Sequence, residues 1–298
     1  MTSRILVSGV SGPIGTALLP LLHSRGYEVV RLVRGPITNK EQISWGPSLQ
    51  IRSEDVSGFD GVIHLAGESI IGRWSAVKKA KIRESRVTGT SNLAQSLAQA
   101  KRKPQVFIAG SAIGYYGSRG DEFLNENSGP GLGFLADVCR QWEAATKPAI
   151  DAGIRTAQIR TGIVLSPRGG ALGKMLPAFL LGLGGRLGDG CQWMSWIDVQ
   201  DMVGGILHIL KTDLVQGPVN MVAPKPVTNA EFTRTLATVL SRPAIFPVPG
   251  LVIKAALGEM GEAILLGSQR VEAARLASTG YPFRFSELAA SLKNTLGR

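Results

Sequence analysis

Gly9, Gly12 and Gly15 recur at three-residue spacing in Ile5-Leu6-Val7-Ser8-Gly9-Val10-Ser11-Gly12-Pro13-Ile14-Gly15. An apolar run that reads as a buried strand comes just before them, and a helical pattern over about Ile14–Ser24 follows. Residues of this type at this spacing can hold a pyrophosphate. Glycine permits the tight turn, lets the backbone approach the phosphates, and lets the helix pack closely on the strand. The helix N-terminus adds unpaired N–H groups and a positive dipole end. Three glycines alone arise by chance; strand before and helix after make the turn a dinucleotide site.

The second strand bears on which dinucleotide. Gly26 ends the first helix, and Tyr27-Glu28-Val29-Val30-Arg31-Leu32-Val33-Arg34 follows. An NAD site wants a carboxylate near the end of this strand, about 20 residues past the glycines, to bind the ribose 2′-hydroxyl. Here Val33-Arg34-Gly35-Pro36 stands instead, with no carboxylate before Glu41. Arg34 can pair with a 2′-phosphate through its planar fork. The pattern therefore favours NADP(H), against the plainer alternative of a solvated arginine at a strand end.

The elements that must position these residues alternate in type. Short apolar strands at 4–8, 28–33, Ile43-Ser44-Trp45, Gly61–Leu65, Val106–Ala109 and Thr156–Arg160 are separated by helical segments at 14–24, 76–100 and 133–151. This rhythm predicts an α/β fold: a Rossmann-type doubly wound parallel sheet with ligand at the carboxyl ends of its strands. Beyond about Leu165 glycine and proline punctuate the chain, with helices expected near 199–211, 229–240, 250–266 and 285–296. The division expected is 1–165 for the NADP(H)-binding domain and 166–298 for a smaller C-terminal substrate-side lobe that contributes in part to the sheet. Val219–Val222 either returns to the sheet edge or belongs to that lobe.

Composition sets limits. The chain has 298 residues, 44% hydrophobic and 18% charged, as in an ordinary globular protein. Its longest apolar runs, such as Met175–Leu183, are interrupted and too short to span a bilayer. Met1–Arg4 runs straight into the first strand, leaving no room for a signal peptide, so a cytoplasmic protein is expected. Cys139 and Cys191 make no disulfide framework, and His23, His64 and His208 are scattered, so no metal is expected. The net charge of +11 and the cluster Arg73, Lys78, Lys79, Lys81, Arg83, Arg86 invite a nucleic-acid partner. No nucleic-acid-reading motif accompanies them, so a small-molecule partner is favoured, with room for a homo-oligomer.

Two strand ends then carry a likeness. Val62-Ile63-His64-Leu65-Ala66-Gly67-Glu68 ends one, and Ile108-Ala109-Gly110-Ser111-Ala112-Ile113-Gly114-Tyr115-Tyr116-Gly117 the other. With the glycine turn, "HLAG", "RVTGTSNL", "GSAIGYYG", "RTGIVL" and "WIDVQDM", in this order over nearly the whole chain, the sequence resembles the extended short-chain dehydrogenase/reductase superfamily. "AGESIIGRW", "KMLPAFLLGLGGRLGDGCQWMSWIDVQDMV" and "GPVNMVAPKPVTNAEF" resemble its atypical, sugar-nucleotide-epimerase-like branch, the epimerase family proteins. The resemblance implies NADP(H) lying across Gly9, Ser11, Gly12, Pro13, Ile14, Gly15, Arg34, Leu65, Ala66, Gly67 and Glu68. It adds Arg86, Ser111, Arg160 and Val164 to the cofactor-binding set.

The departures from the superfamily pattern concern the chemistry. Its acid/base tyrosine and lysine, four residues apart, belong on the helix after the fifth strand. That helix reads Gly133-Phe134-Leu135-Ala136-Asp137-Val138-Cys139-Arg140-Gln141-Trp142-Glu143, with neither. If Glu143 matches the acidic residue that follows the lysine, Leu135 and Cys139 take the two catalytic places. Ser111 matches the serine that hydrogen-bonds the reacting oxygen. Tyr115 and Tyr116 are the substitute acids, provided a cation such as Arg86 lowers a phenol pKa. Otherwise Ser111 satisfies a strand-end amide and the tyrosines pack under a loop. Glu68 can orient Arg73 or Arg86, act as a base, or sit in a salt bridge. Trp193, Trp196 and Lys174 are further candidates to face substrate. Two functions remain: an NADP(H)-dependent oxidoreductase or epimerase-like enzyme of a small or nucleotide-linked substrate, or a catalytically silent NADP(H)-sensing protein.

Overall fold

Alternating side chains in the strands decide the architecture. In β1 (Arg4–Ser8) Ile5 and Val7 enter one apolar core while Leu6 enters another, because successive strand residues point to opposite faces. Both faces of the sheet are therefore buried and must be covered by helices. The computed structural model describes residues 3–167 and 169–298. In it β1 leads to helix α1 (Pro13–Ser24), β2 (Glu28–Val33), β3 (Gln42–Ser44), β4 (Gly61–His64), α2 (Ala76–Gln99) and β5 (Val106–Ala112). Then come α3 (Phe134–Ala144), α4 (Lys147–Asp151), β6 (Arg155–Thr161), α5 (Gly170–Leu180), α6 (Val199–Lys211) and β7 (Gly217–Met221). Helices α7 (Asn229–Leu240), α8 (Gly250–Leu257), α9 (Ala274–Ser278) and α10 (Leu288–Leu296) complete the chain.

The seven strands form one parallel sheet in the order β7-β6-β5-β4-β1-β2-β3. Leu18 and Leu22 of α1 and Met202, Val203 and Ile206 of α6 fill one face. Leu93 and Leu97 of α2, with Ala149 of α4, fill the other. The chain goes from β1 to β2 on one side and later returns to β4 on the other. The crevice of such a sheet opens at that reversal, outside the carboxyl ends of β1 and β4.

Several expectations are corrected. The helix expected over 133–151 is two, broken at Ala145–Thr146 before Pro148, whose ring nitrogen cannot donate to a continuing helix. The helix expected over 250–266 stops at Leu257, where Gly258 takes φ +59°, and a short wide turn spans Gly261–Leu265. Strand β5 runs on to Ala112, so Ser111 lies within the sheet rather than past its edge. The segment beyond 165 does contribute to the sheet, as expected of it. β7 pairs with β6 over Gly217–Met221, and α6 helps fill the core of the sheet. What stands apart from the sheet is a second core built around Leu172, Phe179, Phe232, Leu236 and Leu292.

Two carboxylates of α6 tie the C-terminal segment down. Asp198 caps the helix through the Gln200 N–H and accepts from Ser291 and Thr295 of α10. Asp201, fully buried, accepts from the Tyr281 hydroxyl and from the backbone N–H groups of Arg284 and Phe285. Asp201→Ala strands both N–H groups and is expected to cost about 2–4 kcal/mol. It also opens residues 281–298 to protease well before the sheet unfolds. Urea titration and timed limited proteolysis check this; an unchanged rate of C-terminal cleavage would refute the anchoring role.

Candidate functional site

The turn between β1 and α1 fits its glycines for different reasons. Gly9 has φ +72°, and a Cβ there would stand 2.6 Å from the Leu65 carbonyl carbon and 2.8 Å from the Ala66 nitrogen. A Cβ on Gly15 would stand 2.4 Å from the Gly9 oxygen. These two glycines serve the protein's own packing. Gly12 is unlike them: its φ is −78° and an added Cβ meets only the Gly9 oxygen, at an ordinary 3.4 Å. Nothing within the described residues requires glycine at position 12, so the face of the turn there is left open. Gly12 also stands at the N-cap of α1 with no side-chain cap, no acidic residue in the first turn and Pro13 as the opening helical residue. The N–H groups and the positive end of the helix are left for an anion. Ser11 is exposed on the turn, while Ile14 leans on the sheet core.

The neighbouring strand ends complete the crevice. Leu65 and Ala66 donate their N–H groups to the Ser8 hydroxyl at 3.1 and 3.3 Å, and Ser8 in turn meets His64 Nδ1 at 2.7 Å. With both amides donating to it, the hydroxyl proton goes to Nδ1, so His64 is the neutral Nε2–H tautomer. Burial holds the imidazole pKa down to about 4, and Nε2 has no partner. Arg34 is exposed at the end of β2, forms no ion pair with any described residue, and is near enough to Glu68 to help lower that carboxyl's pKa. The main cause of that lowering is Lys78, which bonds Glu68 at 2.7 Å. Of the roles open to Glu68, the structure shows the salt bridge. Its backbone oxygen accepts from Arg86 at 2.9 Å.

Arg86 lies beneath Gly67, where an added Cβ would stand 3.2 Å from the guanidinium carbon, and 5.0 Å from the centre of the Trp142 ring. Burial lowers its pKa, and it has no carboxylate within ion-pair reach among the described residues. Val164 belongs to the short strand Ile163–Leu165. The loop that follows brings Gly169 against Pro13 at the turn, its added Cβ 3.3 Å from the proline ring. Two more of the basic cluster are paired off: Lys79 with Glu259, and Arg83 with Asp137 at 3.0 Å.

At the end of β5 the expected chemistry is rearranged. Ser111 is 4% exposed and donates to Glu143 at 2.7 Å. Glu143 takes the Arg160 guanidinium in two parallel bonds of 2.8 Å. Arg160, 2% exposed, also donates to the Tyr116 hydroxyl, and Tyr116 donates to Asn220 at 2.7 Å. Glu126 closes the set by accepting from the Asn220 N–H at 3.0 Å. Burial opposes the charge on Arg160, but Glu143 outweighs it and the pKa is raised. Arg160, expected to contact cofactor, is instead seen as a buried strut, with four of its five N–H donors taken within the protein. Tyr116 is corrected too. It is fully buried, its hydroxyl is taken, and burial pushes its pKa up rather than down.

Tyr115 differs. It is half-buried, its ring lies 3.6 Å under the Arg160 guanidinium, and its hydroxyl makes no hydrogen bond to a described residue. Leu135 and Cys139 of α3 both face the Gly114 turn, 3.5 and 3.9 Å from where its Cβ would be. The Cys139 thiol is pushed up to about 12 by burial. Trp196 is core. Trp193 donates to Asp121 at 2.6 Å and stacks on Arg270, whose guanidinium is held between Trp193 and Phe123 at 4.1 and 3.6 Å. Lys174 is exposed on α5. Glu126, Asn220 and Arg270 were not singled out from sequence, since nothing local marks a residue whose partners lie about a hundred positions away.

Residues 5–222 match the family model of the NAD dependent epimerase/dehydratase family, and residues 248–295 match a domain of unknown function. The chain belongs to the NAD dependent epimerase/dehydratase family. An epimerase family protein of Mycobacterium tuberculosis is 39% identical over 290 residues, 97% of this chain and 96% of that protein. The crystal structure of human epimerase family protein SDR39U1 with NADPH has a TM-score of 0.91 at 35% identity, covering 99% of each chain. A nucleoside-diphosphate sugar epimerase of Corynebacterium glutamicum, 37% identical, gives 0.83 over all of this chain and 59% of that one. The fold and the epimerase-family likeness read from the motifs are thereby shown. Among the described residues no helix is long and apolar enough to cross a membrane.

The neutral buried His64 makes stability depend on pH. Its folded pKa lies below the unfolded value of 6.5, so the unfolded chain binds the proton more readily. The stabilisation is full above about pH 6.5 and is lost as pH falls towards 4. Between pH 7 and pH 5 the loss from this group is roughly 2 kcal/mol. Denaturant midpoints for wild type and His64→Gln measure it: the two pH profiles should differ by that slope, and parallel profiles would exclude it.

Proposed function

We propose that this member of the family is an NADP(H)-binding oxidoreductase or epimerase-like enzyme for a small or nucleotide-linked substrate. One observation carries the reading: an uncapped helix N-terminus with a packing-free Gly12, next to a strand end that carries no carboxylate of its own and offers Arg34 without an ion pair to any described residue. The backbone N–H groups over 11–15 would hold the pyrophosphate and Arg34 the 2′-phosphate. Gly67 and the Leu65-Ala66 backbone would form the floor, with Arg86 as the nearby cation. NADPH supplies a hydride when bound. The likeness to the human protein solved with NADPH supports the choice of cofactor. The two cysteines are free, which suits a cytoplasmic location.

For proton transfer, Tyr115 is the candidate donor, since its hydroxyl alone in the tyrosine pair is unengaged. Ser111 must leave Glu143 before it can donate to a reacting oxygen. A second reading, the silent NADP(H)-sensing protein, is favoured by that same commitment of Ser111 and Tyr116 and by the inert Leu135 and Cys139. Turnover against a panel of carbonyl compounds, after NADPH binding has been seen by fluorescence, separates the two readings.

Wild type should bind NADP+ more tightly than NAD+, and Arg34→Ala should weaken NADP+ by about 1.5–3 kcal/mol while leaving NAD+ unchanged. Calorimetry with both nucleotides decides it; equal wild-type affinities would sink the assignment. Gly12→Val should keep the fold and abolish binding of either nucleotide, as read by circular dichroism beside calorimetry. With any substrate found, Tyr115→Phe should lower kcat by about 10²–10⁴, whereas undiminished turnover would remove Tyr115 from the chemistry.

A further inference from the structure

Away from the crevice, three arginines of the C-terminal lobe converge on one cavity of about 620 Å3. Arg234 lies on α7, Arg242 just past its end, and Arg186 on the loop opposite. None makes a salt bridge with a described residue, and no carboxylate lines the cavity. Some arginines elsewhere on the molecule do have a carboxylate at hand: Arg83 and Arg140 share Asp137, and Arg119 takes Glu122. Like charges gathered in one wall repel each other unless an anion completes the set.

Two further features mark the same place. Thr233 is 5% exposed in the cavity wall, and its hydroxyl has no hydrogen-bond partner. A buried polar group left unmatched is uncommon. Ser241, also in the wall, is the one non-glycine of positive φ among the described residues, at +53°. That left-handed residue ends α7 and swings the chain so that Arg242 lines the cavity with Arg234. Apolar side chains, among them Ala237, Ile245 and Pro247, make up the remaining wall.

We infer that this cavity binds a phosphate-bearing anion with an apolar portion. Guanidinium forks match phosphate oxygens in pairs, and the volume suits a ligand of nucleotide size. None of the lining residues comes from the turn after β1, from the end of β2 or from the end of β4, so the site is separate from the crevice. It is nevertheless in touch with the substrate side. The loop carrying Arg186 is held to α7 by the Leu187 N–H on Asn229 and the Ala230 N–H on Gly190, and it runs on to Trp193.

The test uses the whole chain and inorganic pyrophosphate, followed by calorimetry, with Gly12→Val alone and Gly12→Val combined with Arg234→Ala/Arg242→Ala. Arg234 and Arg242 are exposed and Gly12→Val is expected to keep the fold, so both variants should keep the wild-type circular dichroism. Saturable binding should persist in Gly12→Val and weaken at least about tenfold when the two arginines are also replaced. A second arm sediments the protein with phosphatidylcholine vesicles containing about one-third phosphatidylserine. Arginine-dependent sedimentation supports the site with a lipid headgroup as its phosphate. Pyrophosphate binding without sedimentation supports it with a free phosphorylated ligand. The inference is overturned if neither probe binds, if the combined variant binds as Gly12→Val does, or if Gly12→Val alone already loses pyrophosphate.

Discussion

The backbones of Gly9 and Leu65 pass each other at a distance no side chain would allow. This contact lies at the reversal of the sheet, where the chain leaves β1 towards β2 and later returns beside it as β4. It sets how far α1 can descend onto the sheet, and therefore where its uncapped N-terminus points. Gly15 fits the same helix against the same turn. A Cβ at either position would push α1 outward and move its N-terminal amides off the crevice. Gly12 sits between them with space to spare, so of three glycines at equal spacing two are held by the protein's own packing.

The second organising feature is electrostatic. Arg160, on a central strand, has to be matched inside the protein, and Glu143 matches it with two parallel bonds. Removing either partner of such a buried pair leaves an uncompensated charge, at a cost of about 3–5 kcal/mol. Ser111 and Tyr116 then complete the remaining hydrogen-bonding positions, and Asn220 and Glu126 carry the network to β7. Groups that resemble proton donors from their positions in the chain thus hold β5, β6, β7 and α3 in register. The Tyr115 phenol lies outside the network and faces the Arg160 cation only through its ring.

The C-terminal region is bound to the sheet through acceptors. Asp198 and Asp201, both on the turn that starts α6, collect hydroxyls and backbone amides from residues 281–295. A chain of glycine- and proline-punctuated segments acquires a defined place because two buried carboxylates draw most of their hydrogen bonds from it. For the same reason the lobe cannot be cut from the sheet at a single position: its helix α6 and its strand β7 are parts of the sheet's own packing.

The sequence by itself determined what depends on near neighbours. Alternating apolar residues specify strands buried on both faces, the glycine spacing specifies a turn that admits a pyrophosphate, and the missing carboxylate after Val33 specifies the character of the ribose end. The helix over Phe134–Ala144 likewise shows from its own residues that it carries neither tyrosine nor lysine. Only the tertiary structure decided what became of Ser111, Tyr116 and Arg160. Their partners lie on other elements, up to about a hundred residues away, and a hydroxyl or guanidinium has the same appearance in a sequence whether it faces ligand or core. The break in the helix before Pro148 and the return of Gly217–Met221 to the sheet have local signals, yet those signals fit more than one arrangement. The choice between them falls to packing and to the satisfaction of buried polar groups, which are properties of the whole chain.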